Sequence, residues 1–213
     1  MIRSPIVLFF CRRPMPKRGV PRPIQPLPVR FFETDPVTCA RRLLGAQLVW
    51  DGCRGRIVET EAYDVIGDPA CHTFFREKAR RFVEAHSAGT AYVYLNYGVH
   101  WMANVLVKGR RTGFILIRAL EPTQGLKAMQ QRRNQERHEA LCSGPGKLTQ
   151  ALGMTGTFHG QPFLINKRRC LAEGTAPAVI TADVRIGISR GCELPWRFLD
   201  LASRHISVKP RQK

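Results

Sequence analysis

Ala46-Gln47-Leu48-Val49-Trp50-Asp51-Gly52-Cys53-Arg54-Gly55-Arg56-Ile57-Val58-Glu59-Thr60-Glu61-Ala62-Tyr63 holds two runs of strand-forming residues separated by Asp51-Gly52. Asp-Gly suits a two-residue hairpin turn, in which both central residues need positive φ. The stretch therefore predicts an antiparallel hairpin of residues 46–50 and 53–63. Along its second strand, a period of two places Ile57, Glu59, Glu61 and Tyr63 on one side. Two carboxylates on one face repel each other. Burying both is costly unless a cation pairs with them, so at least one is expected to be paired or functional. The neighbouring Ile57-Val58 and Ala62-Tyr63 have the character of core residues, which argues against a solvated face.

Upstream, Asp35-Pro36 opens a helix as N-cap and first-turn residue, and Gly45 closes it. Residues 1–30 hold seven basic residues, seven prolines and no acid, and are expected to form a basic, flexible arm ahead of a single domain over 31–213. Downstream, residues 64–89 look irregular. Tyr92–Leu95 is a strand, Asn96-Tyr97-Gly98 a tight turn, and 101–108 with 114–118 a second hairpin around Arg110-Arg111. A helix is expected from about 123 to 140, exposing Lys127, Arg132, Arg133 and Arg137. Gly144-Pro145-Gly146-Lys147 then opens a short helix that ends at Gly153. Residues 163–166, 179–181, 184–188, 196–199 and 205–208 have strand character. Together these predict an α+β domain: a mostly antiparallel curved β-sheet with flanking helices.

Thirty-four Lys and Arg against sixteen Asp and Glu give a net charge of +18, the electrostatic signature of a polyanion partner. Arg110, Arg111 and Lys147 are candidate phosphate contacts, the last because a helix start behind glycine and proline presents free N–H groups. A long basic amphipathic helix, the mark of a membrane-surface protein, is missing, as is an apolar run of about 20 residues or a secretory signal. The seven cysteines include no Cys-x-x-Cys pair, so a structural zinc is not expected, and neither is any metal or cofactor. Reduced thiols and an intracellular location follow, cytoplasm and nucleoid in a bacterium or nucleus in a eukaryote.

All four tyrosines lie between Tyr63 and Tyr97. A basic surface that tracks phosphates, joined to a tyrosine-rich window, suits an enzyme that takes a base out of a duplex. Tyr63, Tyr94 and His72 can form an aromatic slot for that base, and Tyr97, at a turn tip, can fill the gap left behind. Cutting an N-glycosidic bond builds positive charge on the sugar, and Glu61 or Glu59 can activate water and offset that charge.

Arg54–Tyr63, quoted above, resembles the active-site strand of the alkyladenine (3-methylpurine) DNA glycosylase family. So do the corresponding blocks Gly89-Thr90-Ala91-Tyr92-Val93-Tyr94-Leu95-Asn96-Tyr97-Gly98, Asn104, Ile117-Arg118-Ala119-Leu120-Glu121-Pro122 and Leu141-Cys142-Ser143-Gly144-Pro145-Gly146-Lys147-Leu148. The resemblance runs from about residue 30 to 208, in one order. It implies a fold like the C-terminal domain of formyltransferases. It also implies a monofunctional, metal-free, monomeric enzyme without lyase activity that excises 3-methyladenine, 7-methylguanine, hypoxanthine or ethenoadenine from double-stranded DNA. On the matching positions, Glu61 is the general base and Glu59 structural. Tyr63, His72 and Tyr94 line the base pocket, Tyr97 intercalates, and Asn104 excludes normal guanine. Arg118 holds the water or the flipped phosphate, and the backbone carbonyl of Ile186 helps seat the water. The segment 74–88 departs from the family pattern. A catalytically silent RNA- or tRNA-binding module on the same fold is the competing reading. It has no need of a carboxylate facing a polyanion.

Overall fold

The computed structural model describes residues 23–163 and 166–210. The Asp51-Gly52 hairpin is present. Asp51 and Gly52 take φ of 42° and 84°, and strands β1 (Gln47–Trp50) and β2 (Cys53–Asp64) pair antiparallel across them. Helix α1 (Pro36–Leu43) starts as expected, with Asp35 accepting a bond from the Thr38 amide at 2.8 Å. Strands β3 (Ala91–Asn96), β4 (His100–Lys108) and β5 (Thr112–Gln124) form a meander that joins β2 through β5. With β6 (Arg169–Ala172), the sheet runs β3-β4-β5-β2-β1-β6. A short pair, β7 (Thr181–Asp183) and β8 (Arg197–Leu199), attaches to β2 at Glu59–Glu61. The architecture is the α+β, antiparallel curved sheet that the sequence predicts. Among the described residues no helix is long and apolar enough to cross a membrane.

Several expectations are corrected. Ile57 does not share a face with Glu59, Glu61 and Tyr63. The β2–β5 register is irregular between Ile57 and Thr60, so the core-facing parity changes from Cys53 and Ile57 to Ala62, all three in the main core cluster. The switch falls where β1 leaves the edge of β2 and β8 takes over. Residues 64–89 are regular in part: between turns at 65–71 and 86–89 they carry α2 (His72–Phe75) and α3 (Glu77–Ala85), whose buried Ala79 and Phe82 lie one turn apart beneath a run of charges. The helix expected over 123–140 shrinks to α4 (Leu126–Arg133), because Thr123 and Gln124 continue β5 and Asn134 caps the helix with φ of 45°. Arg132 and Arg133 are not simply a solvated face. They donate to the carbonyls of Ala151 (2.9 Å) and Leu141 (3.3 Å) and tie α4 to its surroundings. Residues 184–188 and 205–208 are loops, and the strand expected at 163–166 falls partly outside the described residues. Residues 23–27, assigned from sequence to the arm, lie along β6: Leu27 donates to the Leu171 carbonyl at 2.8 Å and Glu173 to Gln25 at 2.8 Å. The arm's first 22 residues lie outside the described part.

Cross-strand register explains why scattered residues share one surface. Tyr92 faces Asn104, Asn104 faces Leu116, Leu116 faces Glu61, and Glu61 faces Arg197, giving one row across five strands. A second row joins Leu106, Phe114 and Tyr63. Residues directly opposite point to the same side of a sheet, so these rows form one wall. The other face packs on α1 and α5 (Pro145–Leu152) through Ala62, Val105, Ile115 and Ile117.

Candidate active site

The wall faces a cavity of about 590 Å³, lined by Tyr63, His72, Tyr92, Tyr94, Met102, Asn104, Phe114, Leu116 and Arg118. Phe75, Tyr97, Pro145 and the loop Ile186–Arg190 also line it. The size and aromatic lining suit a flat heterocycle. Of the residues proposed from sequence, Tyr63, His72, Tyr94, Tyr97, Asn104, Arg118 and Ile186 meet here.

Glu61 is fully buried and sits just behind this lining, held by three of the residues that form it. The Ile186 N–H donates to Oε1 at 2.7 Å, the Tyr63 hydroxyl donates to Oε2 at 2.8 Å, and Arg118 Nη1 lies 3.2 Å from Oε2. Ile186 thus reaches Glu61 through its N–H. A carboxylate offers about four lone-pair directions, so one remains for a further donor. Glu59, two residues earlier, is also fully buried and carries four donors. It receives Arg118 Nε (3.0 Å), Arg197 Nη1 (3.1 Å), the Ser207 amide (2.6 Å) and the Ser207 hydroxyl (2.8 Å). Arg118 bridges the two glutamates. Burial pulls its pKa down, Glu61 and Glu59 more than reverse this, and the cation stays firmly charged.

The aromatic slot is stiffened from behind. His72 packs against Tyr94 with ring centres 4.4 Å apart and planes tilted by 59°, and its Nδ1 lies 3.0 Å from the Tyr92 hydroxyl. Phe82 of α3 backs Tyr92 at 5.0 Å and Phe114 at 6.3 Å. Tyr92 is a pocket residue that strand alternation with Tyr94 signals. Burial, reinforced by Arg76, lowers the His72 pKa to about 4, so its ring is neutral near pH 7. Burial also pushes the Tyr92 and Tyr94 hydroxyls up to about 12. The unfolded His72 binds its proton first as pH falls, so folding stability should decline from about pH 6.5 to about pH 4. His159 and His205 are shifted in the same direction by burial and add to the decline. Urea melts at pH 7 and pH 5 should show the loss, and His72→Gln should reduce it.

Asn104 is buried and donates from Nδ2 to the carbonyls of Tyr92 (3.1 Å) and Met102 (3.4 Å), which fixes its orientation. Tyr97 is 86% exposed at the β3–β4 turn, with φ of 50°, followed by Gly98 at 71°. A large aromatic residue in the left-handed region is strained, and such strain is characteristic of functional positions. The α5 start lies beside this turn: a Cβ on Gly146 would come within 2.9 Å of His100, and exposed Lys147 follows it. Arg110 and Arg111 occupy the opposite end of β4. There Arg111 is bound to Asp64 at 2.6 Å and Arg110 lies 3.5 Å from Asp35. The six described cysteines are free, and five of them are buried.

Sequence reasoning misses Arg197, Ser207, Asp68 and Arg185. Each meets its partner across more than a hundred residues of chain, and no local pattern marks them. Arg197 also pairs with Asp183.

Residues 30–204 match the family described as Methylpurine-DNA glycosylase (MPG). A protein of Granulibacter bethesdensis is 46% identical over 182 residues, covering 83% of this chain and 85% of the relative. One from Rhodopseudomonas palustris is 42% identical over 189 residues, covering 86% and 90%. One from Bradyrhizobium diazoefficiens is 40% identical over 201 residues, covering 94% and 99%. All three bear the name "Putative 3-methyladenine DNA glycosylase". With a buried carboxylate behind an aromatic cavity and a match across most of its length, the chain belongs to the methylpurine-DNA glycosylase family of DNA repair enzymes.

Proposed function

We propose that the protein flips damaged purines out of duplex DNA and hydrolyses their N-glycosidic bond with a water activated by Glu61. The observation that carries this reading is the binding of Glu61: three donors fix it against the cavity lining and leave one lone-pair direction free. The water oxygen attacks C1′ of the flipped nucleotide and passes a proton to Glu61. The C1′–N bond breaks, and its electron pair leaves with the purine. The carboxylate offsets the positive charge that develops on the sugar. Arg118 and the Ile186 N–H orient Glu61 at the cavity wall, and the Ile186 carbonyl helps to seat the water. Alkylation that makes the purine cationic improves it as a leaving group. Hypoxanthine and ethenoadenine rely more on the slot formed by Tyr63, His72 and Tyr94. Among the described residues no lysine lines the cavity, and Lys108 Nζ is engaged by the carbonyls of Val83 and His86, which supports a monofunctional hydrolase without lyase activity. The test is base release from duplexes carrying 3-methyladenine, 7-methylguanine, hypoxanthine or ethenoadenine. Release of none of them overturns the reading.

Tyr97 is the wedge that fills the vacated stack, and Lys147 at the α5 start takes a phosphate beside it; Arg110 and Arg111 contact DNA more remotely. Replacing Tyr97 should separate stability from function. Asn tolerates the left-handed conformation, so Tyr97→Asn should stabilise the fold by about 1 kcal/mol. It also removes a stacking face, so release from duplex DNA should fall by about tenfold. Thermal melts and single-turnover assays together check both halves of the prediction.

Asn104 takes up the space that the 2-amino group of a normal guanine would need. Its Nδ2 bonds to two backbone carbonyls prevent it from turning aside. Asn104→Ser should raise release of undamaged guanine by about tenfold, the scale of a small steric discrimination. Incubating the variant with undamaged duplex and counting abasic sites measures this.

A further inference from the structure

Asp68 and Arg185 form a buried, two-pronged ion pair, and neither contributes a step to the proposed chemistry. The Asp68 side chain is fully buried, and Arg185 is 4% exposed. The Arg185 guanidinium donates from Nη1 to Asp68 Oδ2 (2.6 Å) and from Nη2 to Asp68 Oδ1 (2.8 Å), a two-pronged pairing. Nη1 also donates to the Ala62 carbonyl and Nη2 to the Gly191 carbonyl, both at 3.0 Å. The guanidinium carbon lies over the Tyr63 ring, 4.7 Å from its centre, and over the Trp196 ring, 5.3 Å from its centre. Asp68 is held in turn by the amides of Asp64 (3.2 Å) and Ala70 (3.1 Å).

Stability alone is a weak reason for this arrangement. Buried ion pairs often do no better than apolar replacements of equal volume. Here Arg185 Nε is also buried with no partner among the described residues, which adds a cost. The geometry supplies another reason. Arg185 immediately precedes Ile186, whose N–H binds Glu61 Oε1, and its guanidinium backs the Tyr63 ring, whose hydroxyl binds Glu61 Oε2. Its bond to the Ala62 carbonyl fixes the strand between Glu61 and Tyr63. Its bond to Gly191 closes the loop whose residues 186–190 line the cavity. One guanidinium therefore sets two of the three donors that orient Glu61.

We propose that Asp68 and Arg185 are positioning residues that aim the Glu61 carboxylate by locking the 184–191 loop and the Tyr63 ring against β2. This rests on the reading of Glu61 as the base that activates water. Lysine keeps the charge of Arg185 but loses the two-pronged pairing, the fork of carbonyl bonds and the guanidinium's contact with the Tyr63 ring. Single-turnover release by full-length Arg185→Lys should fall 10- to 100-fold, the scale of a small misplacement of a reacting group. Affinity for the lesion duplex should stay within about threefold, because phosphate contacts and stacking supply it. Affinity for a duplex with a cationic pyrrolidine in place of the target sugar should fall by the same factor as the rate, since that ring imitates the charge that Glu61 must meet. Asp68→Asn, a milder change of the same pair, should show a smaller version of the pattern.

A folded Arg185→Lys that releases base within twofold of wild type overturns the proposal. So does a rate loss matched by an equal loss of lesion affinity. If both variants fail to fold, the pair serves the fold only, and the proposal fails too. A wild-type enzyme that releases no damaged purine would instead overturn the glycosylase reading itself, a result the parent protein reports independently of the variants.

Discussion

Glu61→Gln should lower the single-turnover rate of damaged-base release by about 10²–10⁴-fold, the usual contribution of a general base. Affinity for the lesion duplex should remain within about tenfold. Glutamine has the shape of glutamate and can keep accepting the Ile186 N–H. The Tyr63 hydroxyl can turn from donor to acceptor and meet the new amide N–H. Arg118 loses one of its two carboxylates but keeps Glu59, at 3.0 Å from its Nε. The fold should therefore tolerate the change, and the loss should appear in the chemical step. What disappears is a basic oxygen in the one unoccupied direction, together with the negative charge that offsets the developing cation on the sugar. Rapid-quench assays and equilibrium binding on the same lesion duplex separate these effects. Full turnover in the variant would remove Glu61 from the mechanism, and a parallel loss of binding would assign it to recognition.

The site's ingredients were legible in the sequence to the extent that they are local. Asp51-Gly52 specified the first hairpin through its demand for positive φ, and Asp35-Pro36 specified the first helix start. Strand alternation correctly placed Glu59, Glu61 and Tyr63 together. It misplaced Ile57 because alternation assumes an unbroken ladder, and β2 changes partners between Ile57 and Thr60. The helix expected over 123–140 is shortened for a related reason: Thr123 and Gln124 have no decisive propensity, and pairing with β2 keeps Gln124 extended opposite Arg54. In α3, the charges of Glu77–Arg81 concealed the two residues, Ala79 and Phe82, that back the pocket wall. Arg185, Arg197 and Ser207 could not be found from pattern. They enter the site from the last quarter of the chain, and their significance lies in contacts with Asp68 and Glu59 that only the tertiary fold creates.

Glu59→Ala should be the most destabilising single change at the site, although Glu59 takes no part in the chemistry. Its carboxylate is fully buried and serves four donors at once: Arg118, Arg197, and both the amide and the hydroxyl of Ser207. Each cation keeps a second acid, Arg118 in Glu61 and Arg197 in Asp183, but neither acid can replace the shared charge between them. Truncation would leave two guanidinium groups facing each other across a cavity, with two donors of Ser207 unmet. Removing one partner from a buried ion pair costs about 3–5 kcal/mol. At about 2–4 °C per kcal/mol for a domain of this size, the melting temperature should fall by roughly 10 °C. Glu59→Gln should cost less, because its remaining carbonyl oxygen can still accept from Ser207. The two glutamates then give opposite signatures: Glu61→Gln removes activity from a stable protein, whereas Glu59→Ala removes stability. The Ser207 contacts also link the chain's last described loop to β2, so protease sensitivity after residue 200 should rise in Glu59→Ala and stay unchanged in Glu61→Gln. A Glu59→Ala protein that melts within 2 °C of wild type would show that the Arg118 and Arg197 charges are satisfied without it, and the division of labour between the two acids would have to be redrawn.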